Sequence, residues 1–304
     1  MTTTITKSTK LFPAELTKDV FNKVKGHSAL AKLSGSDPIP FVGTTTMTFS
    51  MDGEMGIVGE GEAKNDAGDA GFKPVTVSPL KITYSHRITD EFMNMTAEQQ
   101  MPYMNAYIEG FKKKVSRALD IMAMHGYNPK TKTESEKIGT NCLDKLEGVT
   151  EVQYNAAENA PDDIIDDAVL KVQDNDMEIS GIAMSPSYGA ALGKMKTGNK
   201  TAAYPEFRFA GNPGNFCGLK ADVNNTVSFN SPTNKIVGYI GDFANAFKWG
   251  FAKDIAMKVI EYGDPDGVGT DLQNVGQICL RCEAYIGWGF LESKAFARIK
   301  DATV

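Results

Sequence analysis

Between Thr96 and Gly126 apolar residues recur at Met104, Tyr107, Ile108, Phe111, Val115, Ala118, Leu119 and Met122. This is the i, i+3, i+4, i+7 spacing of one helical face. Lys112, Lys113, Lys114 and Arg117 fall mostly off that stripe, and Glu109 precedes Lys113 by four residues, a weakly favourable pair. Thr96 and Gln99 have capping-box spacing, but Pro102 has no N–H to give to the preceding turn. The pattern predicts a short lead-in turn, a main helix opening at Pro102, and a stop at Gly126. Some 24 residues at about 1.5 Å each make a rod of roughly 36 Å. Only one face is apolar, so other elements must lie along it, with Met104, Ile108, Phe111, Val115 and Leu119 as its core positions.

The flanking patterns differ in kind. Leu11 to Leu33 has helical spacing (Phe12, Leu16, Val20, Phe21, Val24) with Pro13 near its start. Residues 34–40 (SGSDPIP) break it. TTTMTFSMDG and PVTVSPLKITYSHRIT are rich in Thr and Val with near-alternating polarity, reading as two strands. The stretch between them, Gly59 to Phe72, is Gly-, Ala- and Asp-rich and cannot build a core of its own. It reads as a two-stranded arm with a flexible tip, or as a disordered loop; an isolated hairpin is marginal in water and needs a surface to rest on. Tyr127 to Ala160 reads as a polar, turn-rich connection. Pro161 opens a helix, PDDIIDDAVLKVQDND, with Ile164, Ile165 and Val169 inward. SGIAMSPSYGAALGKMKTG reads as a strand followed by a helix that Ser185 and Pro186 start. Residues 235–264 read as strand, turn, strand, strand, and two further strands, one long, close the chain. Strands and helices mix without βαβ alternation, so the class is α+β.

Composition narrows function mainly by exclusion. The chain has 304 residues and a net charge of −6, which does not suggest a polyanion binder acting through bulk charge. No apolar run reaches the ~18 residues of a membrane span and the N-terminus lacks a signal-peptide core, so a protein made and kept in the cytosol, or in something assembled there, is expected. Four cysteines are too few for a disulfide scaffold, and Cys279 and Cys282 sit in a strand pattern that points them to opposite faces, against a shared metal. Asp162, Asp163, Asp166 and Asp167 fit a solvated helix N-terminus better than a metal site. His27, His86 and His125 are scattered, and His125 reads as a helix C-terminal residue complementing the dipole. GAALGKM and GNKT miss the phosphate-loop pattern, and DPDGVGTD misses the calcium-loop pattern. No catalytic constellation, cofactor or metal is expected.

The order of these pieces resembles the tailed-phage major capsid proteins with the Hong Kong 97-type fold. LFPAELTKDVFNKVKGHSALAKL looks like that family's N-arm, and the stretch from TTTMTFSMDG to SHRITDEFM, with Val-Gly-Glu-Gly at its tip, looks like its E-loop. The 102–125 rod matches the spine helix. IAMSPSYGAALGKMKTGNK, CGLKADV and GYIGDFANAFKWGFAKDIAMKV resemble axial-domain segments and their following strand. CLRCEAYIGWGFLESKAFARI resembles the closing strand pair of the peripheral domain. The resemblance implies an N-terminal arm at 1–40, an E-loop hairpin at 41–90, a peripheral domain with spine helix at 91–160, an axial domain at 161–271, and return strands of the peripheral domain at 272–304.

It further implies copies joined as hexamers and pentamers in an icosahedral shell around double-stranded DNA, located in the virion after assembly in the host cytoplasm. A separate scaffold protein, or a chain already matching the mature form, and a portal are implied as partners, with DNA held without sequence-specific contacts and no membrane. At the E-loop tip, Glu60, Glu62, Lys64, Asp66 and Phe72 become candidate assembly residues, and Lys64 stands where some members crosslink to a neighbour's asparagine. An encapsulin-like compartment shell holding cargo enzymes shares this fold and remains an alternative, as does a monomeric ligand-binding domain, for which no aromatic-lined cleft pattern is visible.

Overall fold

The computed structural model describes residues 27–51, 55–63, 70–229 and 235–302. The amphipathic stretch at 11–26 and the tip residues Lys64 and Asp66 lie outside the described residues.

The chain opens on a short helix, α1 (Ala29–Leu33), whose Ser28 cap accepts from the Ala31 N–H. Residues beyond it run beside the later strand Phe247–Ile260, with Asp37 and Ile39 N–H groups donating to the Trp249 and Phe251 carbonyls. The long helix, α3, spans Ala97–Asp120 and continues as a π turn over Ile121–His125, ending at Gly126 with φ 71°. It follows the four-residue α2 (Glu91–Asn94). The sequence pattern placed the main helix start at Pro102, whereas α3 begins five residues earlier. Gln99 accepts from the Thr96 N–H at 3.1 Å and fixes the cap, so the helix forms ahead of Pro102, its sixth residue, despite the one i→i−4 bond to the Glu98 carbonyl that proline cannot make.

The two strands expected at residues 44–53 and 74–89 are three. β1 (Thr44–Met51) pairs antiparallel with β2 (Ala70–Val77), from Thr44↔Val77 to Met51↔Ala70. Ser78 and Pro79 then interrupt the chain, and β3 (Leu80–Thr89) joins a different sheet. That sheet has the order β3-β10-β9, with β9 at Phe247–Ile260 and β10 at Gln277–Phe290. The two strands expected within 247–260 are one 14-residue strand, because β10 supplies a partner along the whole length, interrupted by register shifts near Tyr285. A six-stranded mixed sheet, β4-β11-β8-β5-β7-β6, holds the rest: β4 (Thr150–Tyr154), β5 (Gly181–Met184), β6 (Asn215–Phe216), β7 (Leu219–Val223), β8 (Ile236–Gly241) and β11 (Phe296–Asp301). β4 lies inside the stretch expected to be only a connection; it is short and takes its place by pairing in parallel with β11, which local sequence does not reveal.

Two main cores follow from this layout. Phe111, Val115, Leu119 and Met122 of α3 pack with Trp249, Ile286, Trp288 and Phe290 of the β3-β10-β9 sheet, and with Leu30 and Leu33 of α1. The helices α4 (Pro161–Gln173) and α5 (Pro186–Lys194) bury Ile164, Ile165, Val172, Tyr188 and Leu192 against Ile182, Ile240 and Ile299 of the larger sheet. Successive residues of β5 serve both: Ala183 faces the first core, Ile182 and Met184 the second, as a period of two requires. Met104 joins a smaller cluster with Phe92, Ile278 and Leu280.

Candidate assembly surfaces

Residues with exposed apolar side chains and no covering element concentrate on the β1–β2 arm. Met47, Phe49 and Phe72 are exposed, with the two phenyl rings 5.0 Å apart across the ladder. Beyond the strands Met55 and Ile57 project into solvent. Glu60 and Glu62 are exposed, and Glu62 accepts from the Gly59 N–H at 2.9 Å, closing the turn between them. Among the described residues of the arm, burial comes at its root, where Val77 is covered as β2 meets β10. A two-stranded ribbon of this kind gains little from its own burial, so its apolar face is available for a neighbour.

A second surface is a groove of about 250 Å³ between β3 and α3, lined by Tyr84, His86, Tyr103, Tyr107 and Phe111. Its wall is fixed by Tyr107, whose hydroxyl donates to the Leu280 carbonyl at 3.0 Å, and burial pushes that phenol well above its ordinary pKa. A third is the loop after β9. Arg87 of β3 grips it, pairing with Asp266 and Asp264 and donating to the Thr270 carbonyl at 3.1 Å. Asp264 in turn accepts from the Val268 and Gly269 N–H groups at 3.0 and 2.7 Å. The Arg87 guanidinium holds the Asp266 carboxyl down at about 2. Tyr262 and Val268 are thereby presented outward from an ordered loop.

The sequence reading missed a buried polar junction at the end of α3. Asp120 is fully buried and accepts from the Ser28 hydroxyl, the Ala29 and Leu30 N–H groups, and the Thr226 hydroxyl. Burial outweighs these four neutral donors and pushes its carboxyl up to about 6. His125, expected as a simple dipole partner, is instead buried, with Nδ1 2.8 Å from Asp144 and Nε2 2.8 Å from the Thr226 carbonyl. Tyr239 of β8 donates to the same Asp144. The junction therefore ties α1, the end of α3, the 224–229 turn and the larger sheet together.

Lys112, expected off the apolar stripe, is buried, and Glu109 pairs with it at 3.0 Å rather than with Lys113. Its spacing, four after Ile108 and three before Val115, puts it within the stripe despite its charge. Met104, Ile108, Phe111, Val115 and Leu119 are all buried. Cys279 and Cys282 are free buried thiols on β10, and burial pushes Cys282 up to about 12, which makes it unreactive. Among the described residues no cluster of three or more His, Cys, Asp or Glu side chains is placed to hold a metal ion.

A long helix laid along an antiparallel sheet, a mixed sheet with its own helices, and a projecting two-stranded arm together define a shell subunit of the Hong Kong 97-type capsid fold. A structure of Mycobacterium phage Ogopogo is similar at 31% identity and a TM-score of 0.75, covering 91% of this chain and 92% of that one. A structure of Gordonia phage Cozz follows at 20% identity and 0.71, covering 90% and 86%. The capsid of a native GTA particle, computed with C5 symmetry, shares the fold at 15% identity and 0.63, covering 90% of each chain. A search of curated proteins returned no match. The model of the phage capsid family matches residues 9–301, and the chain belongs to that family. It is a structural protein, a major capsid protein of the phage head.

Proposed function

We propose that this chain tiles an icosahedral tailed-phage head as hexamers and pentamers, enclosing double-stranded DNA, and that the β1–β2 arm carries the contact between neighbours. The arm supports this reading most directly: it is a ribbon of two eight-residue strands whose Met47, Phe49 and Phe72 stand exposed, covered by no element among the described residues. Burying one such side chain contributes about 1.5–3 kcal/mol, and a closed shell repeats the contact at every subunit, so modest contacts sum to a stable assembly.

In this reading residues 1–40 form the N-terminal arm and 41–90 the E-loop. Residues 91–160 and 272–304 are assigned to the peripheral domain and 161–271 to the axial domain, with three strands exchanged across those bounds: β9 pairs with β10 in the sheet under α3, while β4 and β11 belong to the larger sheet. Glu60, Glu62, Lys64 and Asp66 are then contact residues of the tip, and Phe72, expected there too, makes its contact from β2 opposite Phe49. A scaffold protein and a portal act as separate partners, assembly occurs in the host cytoplasm, and DNA is held without sequence-specific grip. The net charge of −6 supports a container rather than a binder, since many phosphate contacts would oppose release.

Replacing Phe49 and Phe72 together by Ser tests the arm. Both are exposed, so the subunit should keep its circular dichroism spectrum while closed particles disappear from negative-stain images. Shells formed in unchanged yield would refute the assignment.

A further inference from the structure

The turn between α5 and β6 is built around an awkward backbone. Arg208 leaves the 3-10 turn at φ −72°, ψ 151°, and Phe209 follows in the left-handed region at φ 55°, ψ 42°. Ala210 is left-handed too, at φ 62°. A bulky residue held there persists only where its surroundings over-determine it, and such sites cluster where a side chain must be aimed.

The surroundings do so. Phe207 is buried and stacks edge-to-face on Phe216 at 5.2 Å. A Cβ at Gly193 of α5 would stand 2.8 Å from the Phe207 carbonyl oxygen, and one at Gly211 only 1.9 Å from that of Glu206. Both positions therefore admit only glycine without movement of the turn. The Gly211 N–H closes onto the Arg208 carbonyl at 3.0 Å. What this arrangement presents is Phe209, 98% exposed, more than any other aromatic side chain among the described residues. Glu206 and Arg208 beside it are exposed, and neither has an ion-pair partner among the described residues.

We propose that this turn docks on a second copy of the same chain, with Phe209 as the apolar knob and Arg208 of one copy paired with Glu206 of the next. The proposal rests on the ring assembly proposed above. Two opposite charges flanking one knob suit a head-to-tail contact, because rotation about a ring axis brings one edge of the turn against the opposite edge of its neighbour. A nucleic-acid partner is disfavoured by the exposed Glu206 carboxylate.

The test measures the protein concentration at which half the chains enter rings or shells, by light scattering and negative stain. Phe209→Ser should leave the subunit's melting temperature unchanged and raise that concentration about tenfold or more, the scale of one lost interface anchor. Glu206→Arg and Arg208→Glu should each weaken assembly, and the double reversal, which restores the pair between copies, should return it near the wild-type value. Phe209→Ser assembling like wild type would overturn the proposal. So would a double reversal as defective as the singles, since that pattern belongs to a partner of fixed charge. Wild-type protein that remains monomeric under every condition would overturn the ring reading and this proposal together, whereas wild-type shells with an inert turn would overturn this proposal alone.

Discussion

Asp120→Ala probes the junction that holds α1 against the end of the long helix. In the wild type the carboxylate accepts from two backbone N–H groups, Ala29 at 2.9 Å and Leu30 at 3.3 Å, and from the hydroxyls of Ser28 and Thr226. The Thr226 hydroxyl also lies 3.0 Å from the Asn224 side-chain oxygen and can turn to it. The backbone donors have no such recourse and stay buried. At about 1–3 kcal/mol for each of these two unsatisfied groups, the substitution should cost about 2–6 kcal/mol at pH 7.

The cost should also depend on pH, in a direction opposite to an ordinary salt-bridged carboxylate. Burial raises the folded-state pKa from 3.8 to about 6, so between those values the folded protein holds a proton that the unfolded chain has lost. The associated stability is fully present below pH 4 and is lost as pH rises through 6, a difference of roughly 3 kcal/mol. Asp120→Ala should therefore destabilise more at pH 4 than at pH 7. Urea unfolding followed through the buried Trp249 and Trp288 would read both values. A loss equal at the two pH values, or larger at pH 7, would refute the reasoning.

Two further outcomes are expected. Phe111→Ala removes a buried ring from the interface of α3 with its sheet and should cost about 3–5 kcal/mol in the same unfolding measurement; a neutral result would mean that the stripe carries no load. Arg87→Gln should release the Asp266 carboxyl from about 2 toward the ordinary value of about 4, read by NMR titration, and should speed hydrogen exchange at the Val268 and Gly269 amides that Asp264 holds. A titration of Asp266 unchanged by the substitution would show that Arg87 does not grip the loop.

The sequence by itself determined what depends on neighbours within a few residues. The apolar face of α3 is written in the spacing from Met104 to Met122, and the starts of α4 and α5 in Pro161 and in Ser185-Pro186, because side-chain direction and orphan N–H groups are local matters. The alternation of Thr and Ser with Met47, Phe49 and Met51 along β1 likewise fixes a strand with two unlike faces. Tertiary structure decided everything that needed a distant partner. Ser78 and Pro79 divide one apparent strand between two sheets because Thr44–Met51 and Gln277–Phe290 each claim part of it. β4 exists because β11 lies beside it, and β9 remains one strand because β10 does. Lys112 reads as off the apolar stripe, His125 as a dipole partner, and Asp120 carries no local signal, yet the fold buries all three. For Asp120 and His125 the compensating groups, at Ser28, Thr226 and Asp144, lie 19 to 106 residues away in the chain. Periodicity assigns a residue to a face; only the folded chain shows what that face meets.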